Sequence, residues 1–575
     1  MRKLIKRREA IIDPTLFPNT PSVLTRLYAA RGVRSEEQLQ YELKRLLSPE
    51  LKGLDAALEL LVTALRLGQR IMVVGDFDAD GATSTALAVR CLRAFGHTDV
   101  EFLVPNRFDY GYGLTPEIVD VAAQRAPDLI ITVDNGIASL QGVARAHELG
   151  MKVLVTDHHL PGAALPEADA IVNPNQPGCA FLSKSAAGVG VVFYVMTALR
   201  ARLREIGWFN EQRREPNLAS FLDLVALGTV ADVVPLDFNN RILIAQGLLR
   251  MRAGHACSGI KAILGVAGRD WQTLSATDLG FVIGPRLNAA GRLDDMSLGI
   301  RCLLADSEAE AFTLAQELDM LNRDRRAIEA TMQKEAAASL EEMLATLQGE
   351  LPCGLCLYRE DWHQGVIGIL ASRIKDRWHR PVIVFANDEQ GGLKGSGRSI
   401  PGLHLRDILD EVATSRPGLL HKFGGHAMAA GLSLEGHLLA EFSQAFARVV
   451  ERHLGDRGLD PVIESDGELG AEDFSLALAQ QLEKGGPWGQ AFPEPMFDGE
   501  FQVVSQKLVG TKHLKLVLTP EGQRDTLVDA IAFNVDVAVW PNPQCQRVLA
   551  AYKLSVNEFR GNRSVQLMVE YLEPC

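Results

Sequence analysis

Three aspartates at alternate positions, Asp76, Asp78 and Asp80, stand between the apolar residues 71–74 and Gly81. Carboxylates this close together raise one another's pKa unless a cation holds them. Hard divalent metal ions are the usual cation in such a cluster. The alternative is an aspartate-rich turn that caps the helix after it. The stretch therefore predicts either a metal site or a helix cap at the end of a strand.

Two more polar clusters follow apolar runs in the same way. Asp134 comes directly after one such run, and the triplet Asp157-His158-His159 comes after another. Polar groups that follow the strands of a parallel sheet meet at one edge, which is where ligands bind in such sheets. The three clusters together predict a metal centre at that edge.

The elements that must position these clusters are strands alternating with helices. Apolar strands are predicted at residues 71–74, 100–104, 129–133 and 153–155. Strands that are apolar throughout belong to a parallel sheet covered on both faces, with right-handed crossovers. The sequence therefore predicts an α/β fold built on a doubly wound parallel sheet.

Length and composition limit the number of domains, the kind of partner and the cellular location that can be expected. Its 575 residues are too many for one hydrophobic core, so several domains are expected. The formal net charge of -13 argues against a protein that coats nucleic acid through bulk charge, but it leaves room for a local basic channel. The 8 cysteines are scattered. Because no apolar run approaches the ~20 residues of a membrane helix, a cytoplasmic protein is expected.

Breaks in the pattern divide the multidomain chain into five segments. Ser307 and Glu310 have the spacing of a capping box, and they begin a predicted helix, continuous or with one break, of about 40 residues. Such a helix suits a bridge between two domains with a cleft between them. The short strands after residue 485 predict a small antiparallel barrel. The expected segments are an N-terminal helical arm (1–50), the parallel-sheet domain (51–302), the connecting helix (303–348), a smaller α/β domain (349–455) and the barrel (460–575).

Two later segments carry further candidate polar groups. Residues 221–236 are otherwise apolar but contain Asp223 and Asp232, and a buried carboxylate needs a partner. Spacing does not choose which of the two faces the metal centre. Residues 284–293 hold two arginines and Asn288 among small residues. They predict either a linker with solvated arginines or an anion-contact loop.

The smaller α/β segment contains three glycine-bearing stretches, at residues 362–369, 391–399 and 423–427. The first enters a predicted helix, and a loop that leads into a helix is a natural anion site. Together the stretches predict a face that binds phosphate groups. The barrel segment adds a modest basic stripe of Lys507, Lys512, His513 and Lys515.

These residues resemble the DHH phosphoesterase superfamily, which takes its name from the triplet present here as Asp157-His158-His159. Within it the likeness is to bacterial exonucleases that degrade single strands from 5′ to 3′. The resemblance implies a DHH catalytic domain, a DHH-associated substrate-binding domain and a C-terminal barrel of the oligonucleotide-binding (OB) type. The likeness runs in family order through residues 74–85, 105–107, 110–114, 134–136, 157–159, 227–235, 284–293, 363–372, 395–404, 424–431 and 486–489.

The resemblance also implies roles for individual residues. Many members carry a histidine where Val74 stands here, and Asp76 is expected to replace it. His159 matches the histidine that contacts the scissile phosphate, and it forms the expected catalytic set with Asp134 and Asp80. The implied metal ligands are Asp76, Asp78, Asp80, Asp134, His158 and Asp232. The implied substrate-binding residues are Arg107, Tyr112, Asn288, Arg292, His363, Ser396, Arg398, Gly424, Gly425 and His426.

The function implied by the resemblance is metal-dependent 5′-to-3′ hydrolysis of single-stranded DNA in repair and recombination. The oxygen-rich ligand set favours two Mn2+ ions, with Mg2+ as the alternative, over zinc. The expected partners are single-stranded DNA, a single-strand-binding protein and a helicase. We expect a monomer without membrane contact, located in the bacterial cytoplasm at the nucleoid. Two rival functions stay open: a nuclease for short oligoribonucleotides or cyclic dinucleotides, and a replication scaffold without catalysis.

Overall fold

The computed structural model describes residues 3–11, 13–106, 112–346, 351–388, 391–455, 458–522, 526–559 and 561–575. The chain divides into two compact units, a smaller one built from Met320–Val462 and a larger one built from Ile5–Asp319 and Ile463–Cys575. None of the helices in the described part of the chain has an apolar stretch long enough to cross a membrane.

The N-terminal segment contains little helix. It has a strand, β1 (Leu4–Arg7), and one α-helix, α1 (Ser22–Ala30), with short 3-10 turns around them. The expectation of a helical arm is therefore wrong for most of this segment. Pro14, Pro18 and Pro21 explain the difference, because proline interrupts a helix anywhere beyond its first turn.

A parallel sheet forms the first half of the larger unit, and helix α2 (Leu54–Leu67) leads into it. Its strands are β2 (Ile71–Val74), β3 (Val100–Leu103), β4 (Leu129–Val133), β5 (Lys152–Thr156) and β6 (Ala170–Val172). They lie in the order β3-β2-β4-β5-β6, and every neighbouring pair is parallel. The predicted parallel sheet is confirmed. The short strand β6 was not predicted, because three residues carry too little pattern.

Helices complete the larger unit. Those that accompany the sheet are α3 (Ala79–Ala94), α4 (Pro116–Ala123), α5 (Leu140–Glu148) and α6 (Gly188–Glu205). Those that follow it are α7 (Leu222–Ala231), α8 (Phe238–Arg252), α9 (Ser258–Val266), α10 (Ala276–Asp278), a π-helical turn (Leu279–Ile283), α11 (Gly284–Leu293) and α12 (Ser297–Leu304). α7 packs against α3, α6 and α8.

Residues 284–293 form helix α11, so the predicted conformation, a linker or a loop, is wrong. Pro285 lies in the first turn of the helix, where a proline costs no hydrogen bond. Leu287, Ala289 and Ala290 are strong helix formers and are buried. The glycines and the proline punctuate this helix without breaking it.

One long helix, α13 (Glu308–Thr346), has 39 residues without a break. It starts where the capping-box spacing predicts, because Ser307 Oγ accepts a hydrogen bond from the Glu310 N–H at 3.1 Å. The division between the two units falls within α13, between Asp319 and Met320.

The smaller unit contains a mixed sheet with helices. Its elements are β7 (Leu355–Tyr358), α14 (Ile367–Trp378), β8 (Val382–Asn387), β9 (Leu393–Arg398), α15 (Leu405–Ser415), β10 (Lys422–Gly425), β11 (Ala429–Leu434) and α16 (Leu439–Leu454). The strand order is β10-β11-β9-β8-β7, with β7 and β8 parallel and the other pairs antiparallel.

Two of the predicted glycine loops are largely strands, β9 and β10, which corrects the prediction. A side chain at Gly395 would lie 2.6 Å from the ring of Phe385, and one at Gly397 would lie 2.8 Å from Leu405. These glycines therefore make room for core side chains of the smaller unit. Their role in packing is invisible without the tertiary fold.

The C-terminal part contains strand β12 (Val462–Ser465), which forms a two-stranded sheet with β1, and helix α17 (Leu476–Lys484). A closed barrel follows, in the order β13-β14-β15-β17-β16, and confirms the predicted barrel. It is not antiparallel throughout, because β15 and β17 are parallel neighbours. The first barrel strand has 13 residues, longer than the short strands predicted for this segment, and it has a bulge between Val503 and Ser505. The barrel strands are β13 (Phe497–Val509), β14 (His513–Pro520), β15 (Val528–Ala532), β16 (Arg547–Phe559) and β17 (Asn562–Pro574).

Candidate metal centre and phosphate-binding site

The first aspartate cluster lies where β2 ends and α3 begins. Asp78 Oδ1 accepts hydrogen bonds from the Asp80 N–H at 2.9 Å and the Gly81 N–H at 3.0 Å, so Asp78 caps α3. The helix cap that was predicted as the alternative to a metal site is therefore present. It uses one oxygen of Asp78 and is compatible with a metal site.

The start of α6 holds the carboxylate of Asp80. The Gly188 N–H donates to Oδ2 at 2.6 Å, and the Val189 N–H donates to Oδ1 at 2.9 Å. Two positions beside this carboxylate have no room for a side chain and are occupied by glycine. A Cβ at Gly188 would lie 2.7 Å from Asp134 Oδ1, and one at Gly228 would lie 2.8 Å from Asp80 Oδ1. The contacts of these two glycines could not be predicted from the sequence. The available signals were the small residues 186–188 at the start of a helix and, for Gly228, the family-like stretch 227–235.

Asp134, His158 and Asp232 converge from three elements. His158 Nε2 lies 3.1 Å from Asp134 Oδ1 and 3.4 Å from Asp232 Oδ2. Among the residues that the structure describes, none donates a hydrogen bond to either of these carboxylate oxygens. Buried acceptors are normally satisfied, so a cation is the natural partner here. Asp223 lies elsewhere, because its Oδ2 accepts the Cys257 N–H at 2.7 Å.

Two sets of ligand atoms meet at this edge of the sheet. Asp76, Asp78 and Asp134 form one set, and Asp80, His158 and Asp232 form the other; within each set the ligand atoms lie within 4.8 Å of one another. Asp134 also groups with His158 and His159 by the same distance. Carboxylate oxygens with one imidazole suit Mn2+ or Mg2+. The residues present therefore fit divalent cations.

The carboxylates of the centre repel one another in a buried site. Burial, and then the charges of Asp232 and Asp78, raise the pKa of Asp80 well above its ordinary value. Burial raises the pKa of Asp134, and Asp80 and Asp78 raise it further. Burial and the charge of Asp78 raise the pKa of Asp232 to about 7. Neighbouring negative charges and the loss of solvent both disfavour the ionised carboxylates. A bound cation favours the ionised form and so offsets both effects.

His159 is held beside the centre by the first residue of the triplet. Its Nδ1 lies 2.8 Å from Asp157 Oδ1, and Asp157 Oδ2 accepts the Ile137 N–H at 2.9 Å. Burial alone would lower the pKa of His159, but the hydrogen bond and charge of Asp157 outweigh it and raise the pKa to about 9. Asp157 therefore favours the protonated form of His159. The triplet includes Asp157, but its role in positioning His159 could not be predicted from the sequence.

Tyr112, which was predicted to contact substrate, lies beside His159. Its hydroxyl donates to Asp134 O at 3.2 Å and lies 3.3 Å from His159 Nδ1. The two rings meet edge-on with centroids 5.8 Å apart. Arg107, and Tyr110 with it, lies outside the described residues.

The predicted polar residues of segment 284–293 divide in two. Asn288 Oδ1 accepts the Ala79 N–H at 2.8 Å, beside the aspartate cluster, and Arg292 is half-buried in the last turn of α11. Arg286 is buried, and its Nε donates to Asp319 Oδ1 at 2.9 Å while its Nη1 donates to Val282 O at 2.7 Å. Arg286 therefore has a structural role and is not an anion contact.

A second candidate site lies in the smaller unit, where α14 begins. A Cβ at Gly368 would lie 2.9 Å from Ser396 Oγ and 3.1 Å from Arg398 Nη2, so the start of the helix faces both side chains. Arg398 Nη1 donates to Ser396 Oγ at 3.2 Å, and burial lowers the pKa of Arg398. A helix start beside a guanidinium suits an anion. Gly368 belongs to the predicted anion stretch, although its contacts could not be predicted.

The remaining predicted residues of the smaller unit lie near this pair or at a hairpin. His363 Nδ1 accepts the Gly365 N–H at 3.0 Å in the loop before α14. Gly424 is in register with Gly431, which is in register with Ser396, so the three form one row across the sheet. A Cβ at Gly424 would meet nothing within 4 Å. Gly425 and His426 follow it, and the His426 N–H donates to Ala429 O at 2.8 Å.

Three family models match the chain. The model described as "DHH family, N-terminal domain" matches residues 70–229, and that described as the DHHA1 domain matches residues 352–452. The model described as the RecJ OB domain matches residues 465–571. The two α/β domains and the barrel thus have separate counterparts.

Relatives are similar to the chain along its whole length. The single-stranded-DNA-specific exonuclease RecJ of Salmonella typhimurium is 56% identical over 575 residues, which cover 100% of this chain and 99% of the relative. A crystal structure of RecJ from Thermus thermophilus in complex with Mn2+ has a TM-score of 0.81 at 30% identity, covering 100% of this chain and 80% of that one. A crystal structure of RecJ from the same organism in complex with Mg2+ has a TM-score of 0.74 at 29% identity, covering 100% and 79%.

Proposed function

The chain belongs to the RecJ family of single-stranded-DNA-specific exonucleases, and from that premise we propose that it degrades single strands from the 5′ end with two divalent ions bound in the metal centre. Its activity is the metal-dependent hydrolysis of phosphodiester bonds in single-stranded DNA. The observation that carries the proposal is that Asp134 groups with Asp76 and Asp78 and also with His158, which belongs to the second set.

The proposed division of ligands follows these sets. Asp76 and Asp78 would hold one ion, Asp80, His158 and Asp232 would hold the other, and Asp134 would be available to both. Divalent ions bound there would neutralise charge on the phosphate and lower the pKa of the attacking water. The imidazole of His158 favours Mn2+, with Mg2+ as the alternative.

His159 is the proposed catalytic donor to the scissile phosphate. Its Nδ1 is bonded to Asp157. Its Nε2 lies 3.3 Å from the Tyr112 hydroxyl and would donate to a nonbridging phosphate oxygen in place of that contact. Because Asp157 keeps the ring protonated and oriented, the positive charge is in place before the transition state forms. Removing a comparable donor from other enzymes costs about 10²–10³ in kcat.

The phosphate site of the smaller unit is the proposed source of polarity. Ser396 and Arg398, with the start of α14 at Gly368, would hold a terminal 5′-phosphate. Arg107 and Arg292 are proposed to line the path of the strand. His363, Gly424, Gly425 and His426 are proposed to complete the binding face of the smaller unit. An enzyme anchored at the 5′-phosphate releases the 5′-terminal nucleotide first.

The cellular setting follows from the same premise. We propose a role in DNA repair and recombination, with a single-strand-binding protein and a helicase as partners and the nucleoid as the place of action. The protein acts as a monomer in this proposal. The proposed domains are 51–302, 349–455 and 460–575, and each contains the span of one family match.

Polarity is tested with 5′-labelled and 3′-labelled single strands of one sequence, each with Mn2+ present. We expect the 5′ label to appear as mononucleotide at once, while the 3′ label stays on a shortening strand. Early release of the 3′ label would overturn the proposed polarity. Asp80→Asn should abolish hydrolysis, and Asp223→Asn should keep it, because Asp223 is an equally buried aspartate outside the centre.

A further inference from the structure

Helix α11 lies directly against the turn that carries the aspartate cluster. A Cβ at Gly291 would lie 1.8 Å from Phe77 O, so the helix backbone touches this carbonyl and no side chain fits between them. One turn earlier on α11, Asn288 Oδ1 accepts the Ala79 N–H at 2.8 Å. The contact therefore falls on the residue between Asp78 and Asp80.

The contact satisfies a backbone group that would otherwise be left over. The first N–H groups of a helix have no partner within it. In α3, Asp78 accepts the N–H groups of Asp80 and Gly81, and Asn288 accepts that of Ala79. Two side chains thus hold the first turn of α3, and one of them comes from a distant part of the sequence.

The beginning of α11 is fixed as firmly as its end. Arg286 is buried and donates from Nε and Nη2 to Asp319 Oδ1 at 2.9 Å, and from Nη1 to Val282 O at 2.7 Å. These bonds tie α11 to the π-helical turn and to the first part of α13. An anchored helix can impose a fixed position on the turn it contacts.

We propose that Asn288 is a positioning residue of the metal centre and not a contact for the DNA strand. Through the Ala79 N–H, Asn288 sets the backbone between Asp78 and Asp80 and so the separation of their carboxylates. The inference rests on the proposed function, in which these carboxylates hold divalent ions. Groups that orient metal ligands typically contribute about 10–100-fold to metal affinity or activity.

The two roles require opposite ends of the Asn288 amide. Positioning uses the acceptor Oδ1, which Asn288→Asp keeps and Asn288→Leu removes at similar size. A contact to a DNA phosphate would use the donor Nδ2. Asn288→Asp removes that donor and adds a charge that repels phosphate, so it would then be the more damaging variant.

The experiment measures Mn2+ binding to the DNA-free protein by calorimetry, and kcat and KM for a single strand at saturating Mn2+. For Asn288→Leu we expect Mn2+ affinity to fall about tenfold or more, with KM for DNA within about twofold of wild type. Asn288→Asp should bind Mn2+ within about threefold of wild type. The matched control is Asn217→Leu, which also removes an asparagine acceptor from a backbone N–H, that of Ala219 at 3.1 Å.

Two results would overturn the proposal. One is Mn2+ binding by Asn288→Leu that equals wild type; the other is a raised KM for DNA in Asn288→Asp with unchanged Mn2+ binding. If Asn288→Leu does not fold, Asn288→Asp still decides, because the two roles predict opposite results for it. Failure of wild type to bind Mn2+ would instead refute the metal centre of the proposed function.

Discussion

At the scale of single residues, the centre is a group of buried carboxylates whose charges repel one another. Asp80 and Asp134 are almost fully buried, and the pKa of each is raised by burial and by the neighbouring aspartates. Such a group destabilises the folded protein unless protons or cations neutralise it. Strongly shifted carboxylates mark functional sites for this reason.

Metal binding should therefore depend on pH. The pKa of Asp232 is raised to about 7 in the folded protein, above its value of ~3.9 in an unfolded chain. The resulting stabilisation is present at low pH and is lost as pH rises through about 7, where Mn2+ replaces the proton. We expect calorimetry to show tighter Mn2+ binding at pH 8 than at pH 6, with protons released. The Mn2+-induced rise in Tm should also be larger at pH 8, and equal rises at both pH values would contradict this.

A methyl group at Gly188 should damage the centre. The new Cβ would lie 2.7 Å from Asp134 Oδ1, so the carboxylate that groups with Asp76 and Asp78 must move. We expect Gly188→Ala to lower Mn2+ affinity at least about tenfold, measured by calorimetry on the DNA-free protein. Gly265→Ala is the control, since a Cβ there meets nothing within 4 Å. Wild-type Mn2+ affinity in Gly188→Ala would show that the contact is unimportant.

At the scale of elements, the N-termini of helices position the side chains of the candidate metal centre and of the candidate phosphate site. α3 and α6 begin beside the aspartates, and α14 begins beside Ser396 and Arg398. Helix N-termini carry unpaired N–H groups and a partial positive charge, so they hold carboxylates and phosphates in place. The same local device thus serves the metal centre and the phosphate site.

A methyl group at Gly368 tests the phosphate site. The Cβ would lie 2.9 Å from Ser396 Oγ, in the space proposed for the terminal phosphate. We expect Gly368→Ala to reduce the preference for 5′-phosphorylated over 5′-hydroxyl strands at least about tenfold, since a charge-assisted hydrogen bond contributes ~1.5–3 kcal/mol. Mn2+ binding should not change. The control in the same unit is Gly436→Ala, where a Cβ meets nothing within 4 Å; an unchanged preference in Gly368→Ala would refute the site.

How much could be predicted from the sequence varies by element. The parallel sheet was predictable because strands such as β4 are apolar throughout, and clusters that follow such strands must meet at one edge. Helix α11 and strand β9 could not be predicted, because their glycines are required by packing against Phe77 and Phe385. The roles of Gly188 and Asn288 could not be predicted for the same reason, since their partners are distant in sequence.

At the scale of the whole molecule, the barrel adds a surface suited to a long strand. Lys507 and Lys515 stand opposite one another on β13 and β14. Asp529 Oδ2 lies 3.3 Å from Lys515 Nζ and offsets part of their repulsion, while Lys507 is exposed to solvent. His513 packs edge-on against Phe533, which is 49% exposed and open for stacking.

Charge removal on the barrel should affect long substrates only. For the double variant Lys507→Gln/Lys512→Gln we expect a several-fold higher KM for strands of about 30 nucleotides and a weaker salt dependence. Strands of about 6 nucleotides should show no change in KM. Lys44→Gln/Lys152→Gln, at exposed lysines elsewhere, is the control. An equal effect on short and long strands would argue against a role for the barrel in binding.

The central claim is a centre of two divalent ions that share Asp134. The direct measurement is an electron paramagnetic resonance titration of the DNA-free protein with Mn2+. The account predicts two ions per chain with the spectrum of an exchange-coupled pair, and loss of that coupling in Asp134→Asn. One ion per chain, or two ions without coupling in the wild-type protein, would contradict it.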